Sequence, residues 1–169
     1  MKEKINRVDI QRVDELDLAK LQSLYIEAAA WMEAKGIDQW RTSDFTTEHM
    51  RKLILQTELY QVNWNGSIIG GLSIQWKDAI IWKELDCDNE AGYLHKLVVK
   101  REYNGLGIGN TVLRWCEAYM KMNGKKLLRL DCVPSNVKLN EYYVTAGFEF
   151  RGRTEGKGWA ANLYEKAVL

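Results

Sequence analysis

The chain has 169 residues, with 24 Lys+Arg against 23 Asp+Glu and a formal charge of +1. A chain of this length builds one core hiding roughly two thirds of its unfolded surface, so one domain spanning residues 1–169 is expected. Apolar residues make up 46% and charged residues 28%, a balance that argues against disorder and against a nucleic-acid partner held by phosphate contacts.

No run approaches about 18 apolar residues. The opening Met1-Lys2-Glu3-Lys4-Ile5-Asn6-Arg7 is polar with no apolar segment behind it, so the expectation is no membrane span, no secretion and a cytoplasmic location. Cys87, Cys116 and Cys132 form an odd set without a C-x-x-C pair. That favours reduced thiols over a disulfide framework or a zinc site. The 7 Trp and 8 Tyr suit a large core, with some left to line a pocket.

In chain order, a strand over 8–13 precedes a helix over 17–35, where Leu18, Leu21, Tyr25, Ala28 and Met32 recur at steps of three and four and Gly36 ends the run. A helix over 47–56 follows a Thr46/Thr47 cap and carries Met50, Leu53 and Ile54. The period then changes to two. Runs 59–64 and 67–76 are joined by Asn65-Gly66, a strong signal for an antiparallel hairpin. Residues 77–92 read as a long, partly acidic loop before a strand over 93–99. A glycine-rich turn at 104–109 opens a helix to Met122, ended by Asn123-Gly124. A strand over 126–133, a helix over 136–146 closed by Gly147, and a strand near 163–168 complete an α+β order with a βαβα centre.

The most informative stretch is Leu97-Val98-Val99-Lys100-Arg101-Glu102-Tyr103-Asn104-Gly105-Leu106-Gly107-Ile108-Gly109, in which an apolar strand runs into glycines and then an amphipathic helix. Glycines let the backbone approach a ligand, and a helix N-terminus presents unpaired N–H groups with partial positive charge, a seat for a pyrophosphate. A tight structural turn is the other reading. Gly109 is followed by Asn110-Thr111 rather than Lys-Ser/Thr, which removes a Walker A loop. Asn110 also stands where a dinucleotide fingerprint needs its third small residue.

The segment Asn104-Gly105-Leu106-Gly107-Ile108-Gly109 resembles motif A of the GCN5-related N-acetyltransferase superfamily, Arg/Gln-x-x-Gly-x-Gly/Ala, with Asn104 departing at the first position. Downstream, Asn136-x-x-Leu139-x-x-Tyr142-Tyr143-x-x-x-Gly147-Phe148 is similar to that family's Asn-x-x-Ala-x-x-(aromatic)-Tyr-x-x-x-Gly-Phe segment, and residues 31–40 are similar to a segment of many bacterial members. The resemblance implies a three-layer fold with a mixed, mostly antiparallel sheet, flanking helices and two splayed central strands. It also implies acetyl-CoA as co-substrate, an amine acceptor, small or peptidic, attacking directly in a ternary complex, and no metal. The expected partners include neither nucleic acid nor membrane; a homodimer remains open. A CoA-binding sensor or interaction module without turnover is the alternative.

Under the same resemblance, backbone amides of Leu97, Val98 and Val99 would hold the pantetheine and the thioester carbonyl, and Asn104, Gly105, Leu106, Gly107, Ile108 and Gly109 would hold the pyrophosphate. Asn136 would bond the CoA arm. Tyr143 would line the cofactor channel and donate its proton to the departing thiolate, or only pack there, with Tyr142 turned elsewhere. An aliphatic ammonium has a pKa near ~10, so a base is needed at neutral pH. His95 is one candidate, because alternation puts Tyr93, His95, Leu97 and Val99 on one strand face; a hydrogen-bonded structural His is the other reading, and Glu33, Asp38 and Glu84 are further carboxylates. Trp31 and Trp40 straddle the first helix end and are either acceptor contacts or core. Lys96, Lys100, Arg101 and Arg129 are either contacts to the CoA 3′-phosphate or solvated charges, and Cys132 is a remote thiol candidate.

Overall fold

The structure, a computed structural model, describes residues 8–169, and the polar opening Met1–Arg7 lies outside them. Strand β1 (Val8–Arg12) leads into helix α1 (Glu15–Ala34), then α2 (Thr47–Gln56), the hairpin β2 (Glu58–Trp64) and β3 (Ser67–Gln75), and a short helix α3 (Ala79–Trp82). Strand β4 (Ala91–Val99), helix α4 (Ile108–Met122), β5 (Leu127–Cys132), α5 (Val137–Thr145), β6 (Glu149–Gly156) and β7 (Trp159–Ala167) follow. The strands form one sheet in the order β1-β2-β3-β4-β5-β7-β6, antiparallel except where β4 and β5 run parallel.

Local chemistry accounts for these elements. Asp14 caps α1 by accepting the Asp17 N–H, and Thr46 caps α2 by accepting that of His49. Asn65 and Gly66 both take positive φ, as the tight hairpin turn requires. Helices α1 and α2 cover one sheet face, where Leu21, Tyr25, Phe45, Met50, Leu59 and Val98 are buried. On the other face α4 and α5 enclose Ile74, Leu94, Val112, Met120, Leu130 and Tyr143. That is the expected three-layer arrangement.

The segment read as a loop over 77–92 is instead built around α3, with Trp82 packed on Ala91, Tyr93 and Leu163. Its acidic side chains have structural work: Asp86 accepts the Tyr93 hydroxyl, and Asp88 takes an ion pair from Arg129 at 2.8 Å. Arg129 is 2% exposed and also meets Glu165 at 2.7 Å. A buried ion pair is strongly destabilising when one partner is removed, by about 3–5 kcal/mol. Arg129 is therefore a buried anchor of the interior strand β5 rather than a solvated charge.

Two features of β4 position the site. Its ladder with β5 covers only Ala91↔Leu127 to Leu94↔Leu130, beyond which the strands part. Lys96 has φ 56 and the β3 pairing shifts register between Gly71 and Ser73, a bulge that reverses side-chain alternation. Tyr93 packs under α3 and Val98 under α1, whereas Leu97 and Val99 pack on the α4 side. The single face expected for Tyr93, His95, Leu97 and Val99 is thus broken at Lys96.

Candidate active site

A cleft of about 1260 Å³ opens where β4 and β5 diverge, lined along β4 by Leu94 to Leu97, along β5 by Leu130 to Cys132, and across from them by Asn136, Leu139 and Tyr143 of the α5 region. Trp40, Asp44 and Trp159 close its other end.

The turn expected to hold phosphate enters α4 through Gly107 at φ 74 and ψ 14, a left-handed conformation suited to glycine. Thr111 is the first residue to donate into the helix, to Gly107 at 3.1 Å. Ile108, Gly109 and Asn110 therefore have no helical acceptor for their N–H groups. No side chain caps this end and no acidic residue occupies the first turn, so its partial positive charge is uncancelled. Asn104, Gly105, Leu106 and Gly107 are exposed, while Ile108 anchors the turn in the core.

Helix α5 is tied to the same turn. The Tyr142 hydroxyl donates to Asn110 Oδ1 at 2.8 Å, and a Cβ at Gly109 would stand 2.7 Å from that hydroxyl. Gly109 is small so that Tyr142 can reach past it. Tyr143 points the other way, packs against Phe148 and Tyr164, is 6% exposed and lines the cleft. Among the described residues nothing hydrogen-bonds its hydroxyl, and burial pushes its pKa well above the phenol value. Asn136 caps α5 through Oδ1 to the Leu139 N–H at 3.2 Å and turns Nδ2 toward Gln39 across the cleft at 3.4 Å.

Of the three strand residues, Leu97 and Val99 differ from Val98. The Lys100 N–H donates to Ile69 at 2.7 Å; with Gly71 opposite Val98, ladder alternation directs the Val98 N–H to β3 and those of Leu97 and Val99 into the gap.

His95 stands between two carboxylates, Nε2 at 2.8 Å from Asp78 Oδ2 and Nδ1 at 3.6 Å from Asp131 Oδ1. Asp78 also caps α3. With Nε2–H given to Asp78, the Nδ1 lone pair faces Asp131. Burial pushes the Asp131 carboxyl up, opposed by His95 and reinforced by Asp78. The donor atoms of Asp78, His95 and Asp131 lie within 4.8 Å of one another, so this trio could also hold a cation.

Asp78 and Asp131 escape a sequence reading centred on glycines. The second had a signal, since in Leu127-Leu128-Arg129-Leu130-Asp131-Cys132 alternation sets Arg129 and Asp131 on the face opposite Leu128 and Leu130. Trp40 lines the cleft and packs on Tyr25 and Phe45. Trp31 does not line it: the Arg101 guanidinium covers its ring at 3.5 Å. Glu33 is used to hold Thr42, and Glu84 belongs to a separate groove with Arg151. Cys132 is buried, and that burial together with Asp131 pushes its thiol up to about 12, the wrong direction for a nucleophile.

The open sheet splits between its two parallel strands, and an uncapped helix start follows the strand on one side of the split. The model of the acetyltransferase (GNAT) family matches residues 21–148, and the chain belongs to that family. It is 28% identical over 163 residues, covering 90% of this chain and 86% of the relative, to the uncharacterized N-acetyltransferase YesJ of Bacillus subtilis strain 168. A GNAT-family acetyltransferase structure from Listeria monocytogenes 4b F2365 superposes with TM-score 0.78 at 26% identity, over 99% of both chains. The PaiA N-acetyltransferase of Thermoplasma acidophilum, solved in complex with coenzyme A, gives TM-score 0.73 at 21% identity over 95% of this chain and 99% of that one. No described helix is long and apolar enough to cross a membrane.

Proposed function

We propose that the protein transfers the acetyl group of acetyl-CoA to a primary amine by direct attack in a ternary complex. The observation that carries this reading is the uncapped start of α4, tied through Asn110 and Tyr142 to the helix whose Tyr143 lines the cleft left by the parting of β4 and β5. The pyrophosphate would sit on the amides from Gly105 to Asn110, where the helix end favours negative charge. The pantetheine would pair with β4 in place of β5, bonded by Leu97 and Val99 and flanked by Asn136. An amide in the gap then meets the thioester oxygen as negative charge develops on it.

Proton traffic follows from the side chains. An acceptor ammonium gives a proton to Asp131 or His95 Nδ1, and the proton is held on the line from Asp131 through His95 to Asp78. The amine nitrogen attacks the thioester carbon, the C–S bond breaks, and the electron pair leaves with sulfur as Tyr143 supplies a proton to it. Burial keeps Tyr143 protonated across the working pH range, so its O–H is present to meet the sulfur, and the second proton shed by the amine nitrogen restores it.

Two assays test the proposal. CoA at 100 times its Kd should stabilise the fold by about 2.7 kcal/mol in a thermal-shift measurement. A panel of amines should release free thiol from acetyl-CoA; binding of CoA with no release from any amine would leave a binding module rather than an enzyme.

A further inference from the structure

Most charged side chains in the acceptor half of the cleft have a partner, although the Asp44 carboxylate is met only by a backbone N–H. Arg41 lies 3.6 Å from Asp38, and its backbone N–H is accepted by Asp44 at 2.9 Å. Arg153 pairs with Glu155 at 2.9 Å, and His95 with Asp78 at 2.8 Å. Among the described residues two charged side chains lining the cleft, Asp131 and Lys96, make no side-chain hydrogen bond and no ion pair with a Lys, Arg, Asp or Glu. Asp131 makes no hydrogen bond, lies 3.6 Å from His95 with Asp78 and Lys96 also acting on its charge, and its Oδ1 is shut off from water without a partner. Lys96 makes neither an ion pair nor a side-chain hydrogen bond, and its Nζ rests 5.7 Å above the Phe45 ring.

These two residues are held in place. The Lys96 carbonyl accepts the Tyr25 hydroxyl at 2.6 Å, which pins the bulge from beneath. Asp131 follows Leu130, the last β5 residue paired with β4. One cation and one anion, neither of them hydrogen-bonded, thus face one cavity from the two strands that part. A partly desolvated charge without a partner is costly, and burial pushes both toward their neutral forms, Asp131 up and Lys96 down, with Asp44 and Asp131 opposing the change at Lys96. A ligand carrying an ammonium and an anionic group a few bonds apart would complete both pairs at once.

Resting on the acetyl-transfer reading above, we infer that the acceptor is a free amino acid, its α-ammonium held by Asp131 and its α-carboxylate by Lys96. The α-nitrogen loses one proton to Asp131 and His95 and thence to solvent. It forms the N–C bond as the C–S bond breaks, and its second proton balances the thiol formed at sulfur, so the products are an N-acetyl amino acid and CoA. A diamine or aminoglycoside would place a second cation against Lys96 and is disfavoured by like-charge repulsion.

The test measures thiol release with the proteinogenic amino acids, each compared with its decarboxylated amine and its carboxamide, with a polyamine and an aminoglycoside alongside. The expected result is at least one amino acid preferred over its own amine and carboxamide by on the order of 10² in kcat/KM, since truncating one side of a largely desolvated charged pair is expensive. Lys96→Met should raise the KM for that amino acid and shrink the preference more than tenfold, with the KM for acetyl-CoA unchanged; Lys96→Arg should restore part of it. A CoA-induced thermal shift retained in both variants shows that they fold. Release with the amines, the polyamine or the aminoglycoside but not with amino acids overturns the inference and leaves the acetyl-transfer reading standing, as does a preference untouched by Lys96→Met. Silence from every amine overturns both.

Discussion

Replacing Tyr143 by Phe removes one oxygen from the wall of the cleft and nothing else. Its hydroxyl makes no hydrogen bond among the described residues, while the ring contacts with Phe148 and Tyr164, at centroid distances of 5.8 and 6.2 Å, are available to Phe. The folded state therefore loses no internal bond, and stability should stay within about 0.5 kcal/mol, a shift of about 1–2 °C in Tm. The chemical step is another matter. A positioned acid contributes roughly 10²–10⁴ in rate, equivalent to about 3–5 kcal/mol of barrier, and kcat should fall by that factor while the Kd for CoA changes less than about threefold. Stopped-flow thiol detection together with calorimetric CoA titration separates the two quantities. Because burial raises the Tyr143 pKa far beyond the phenol value, the wild-type rate should show no falling limb from this group as pH rises toward about 10. A Phe variant with unchanged kcat, or one that loses CoA affinity and Tm together, would refute the assignment.

Glu58 accepts hydrogen bonds from Tyr60, Tyr119 and Trp76 and faces Arg12 at 3.5 Å; Glu58→Ala should lower stability by about 2 kcal/mol, or roughly 4–8 °C in Tm. Burial pushes the Glu58 carboxyl up, but the three donors and Arg12 outweigh it and hold it below the ordinary glutamate value of about 4.3. Its contribution is accordingly present above that pH and lost as pH falls through the lowered folded value, a trend that denaturant titrations at stepped pH will follow, and that Glu58→Ala should abolish. At Gly109, Ala would put Cβ 2.7 Å from the Tyr142 hydroxyl, displacing its bond to Asn110; the loss of about 1 kcal/mol is offset by a helix-propensity gain of similar size. The Tm should therefore barely move, and adding Tyr142→Phe, which removes the clashing atom, should make the pair additive only up to that lost bond. Dialysis against a chelator should leave the transfer rate unchanged, since acid–base groups alone carry the proposed step; loss of rate, restored by a divalent cation, would reassign Asp78, His95 and Asp131 to a metal.

The strand-turn-helix running from β4 into α4 is legible in sequence because its requirements are local: an apolar run, glycines, and a helical stripe containing Val112, Leu113 and Cys116, all buried. Tyr142 and Tyr143 also divide as adjacent helical residues must. The faces of β4 are not legible, because one left-handed residue at Lys96 reverses the alternation beyond it, and no composition rule marks a lysine for that conformation. Strand β6 escapes notice because it is an edge strand in which only Thr154 is buried, so it carries no apolar period. Arg129 looks like a free surface cation until the fold brings Glu165, Asp88 and Tyr93 around it from three other segments. The trio around His95 is hidden for the same reason, its members coming from the α3 cap, the β4 bend and the end of β5.

The proposed seat of the coenzyme can be tested directly by following backbone amide resonances of the 15N-labelled protein as CoA is added. Large shifts are expected for Leu97 and Val99 and for Gly105, Gly107, Ile108 and Gly109, with Val98 and Lys100, whose N–H groups face β3, responding much less. Shifts that pass over these amides and gather elsewhere on the chain would contradict that seat.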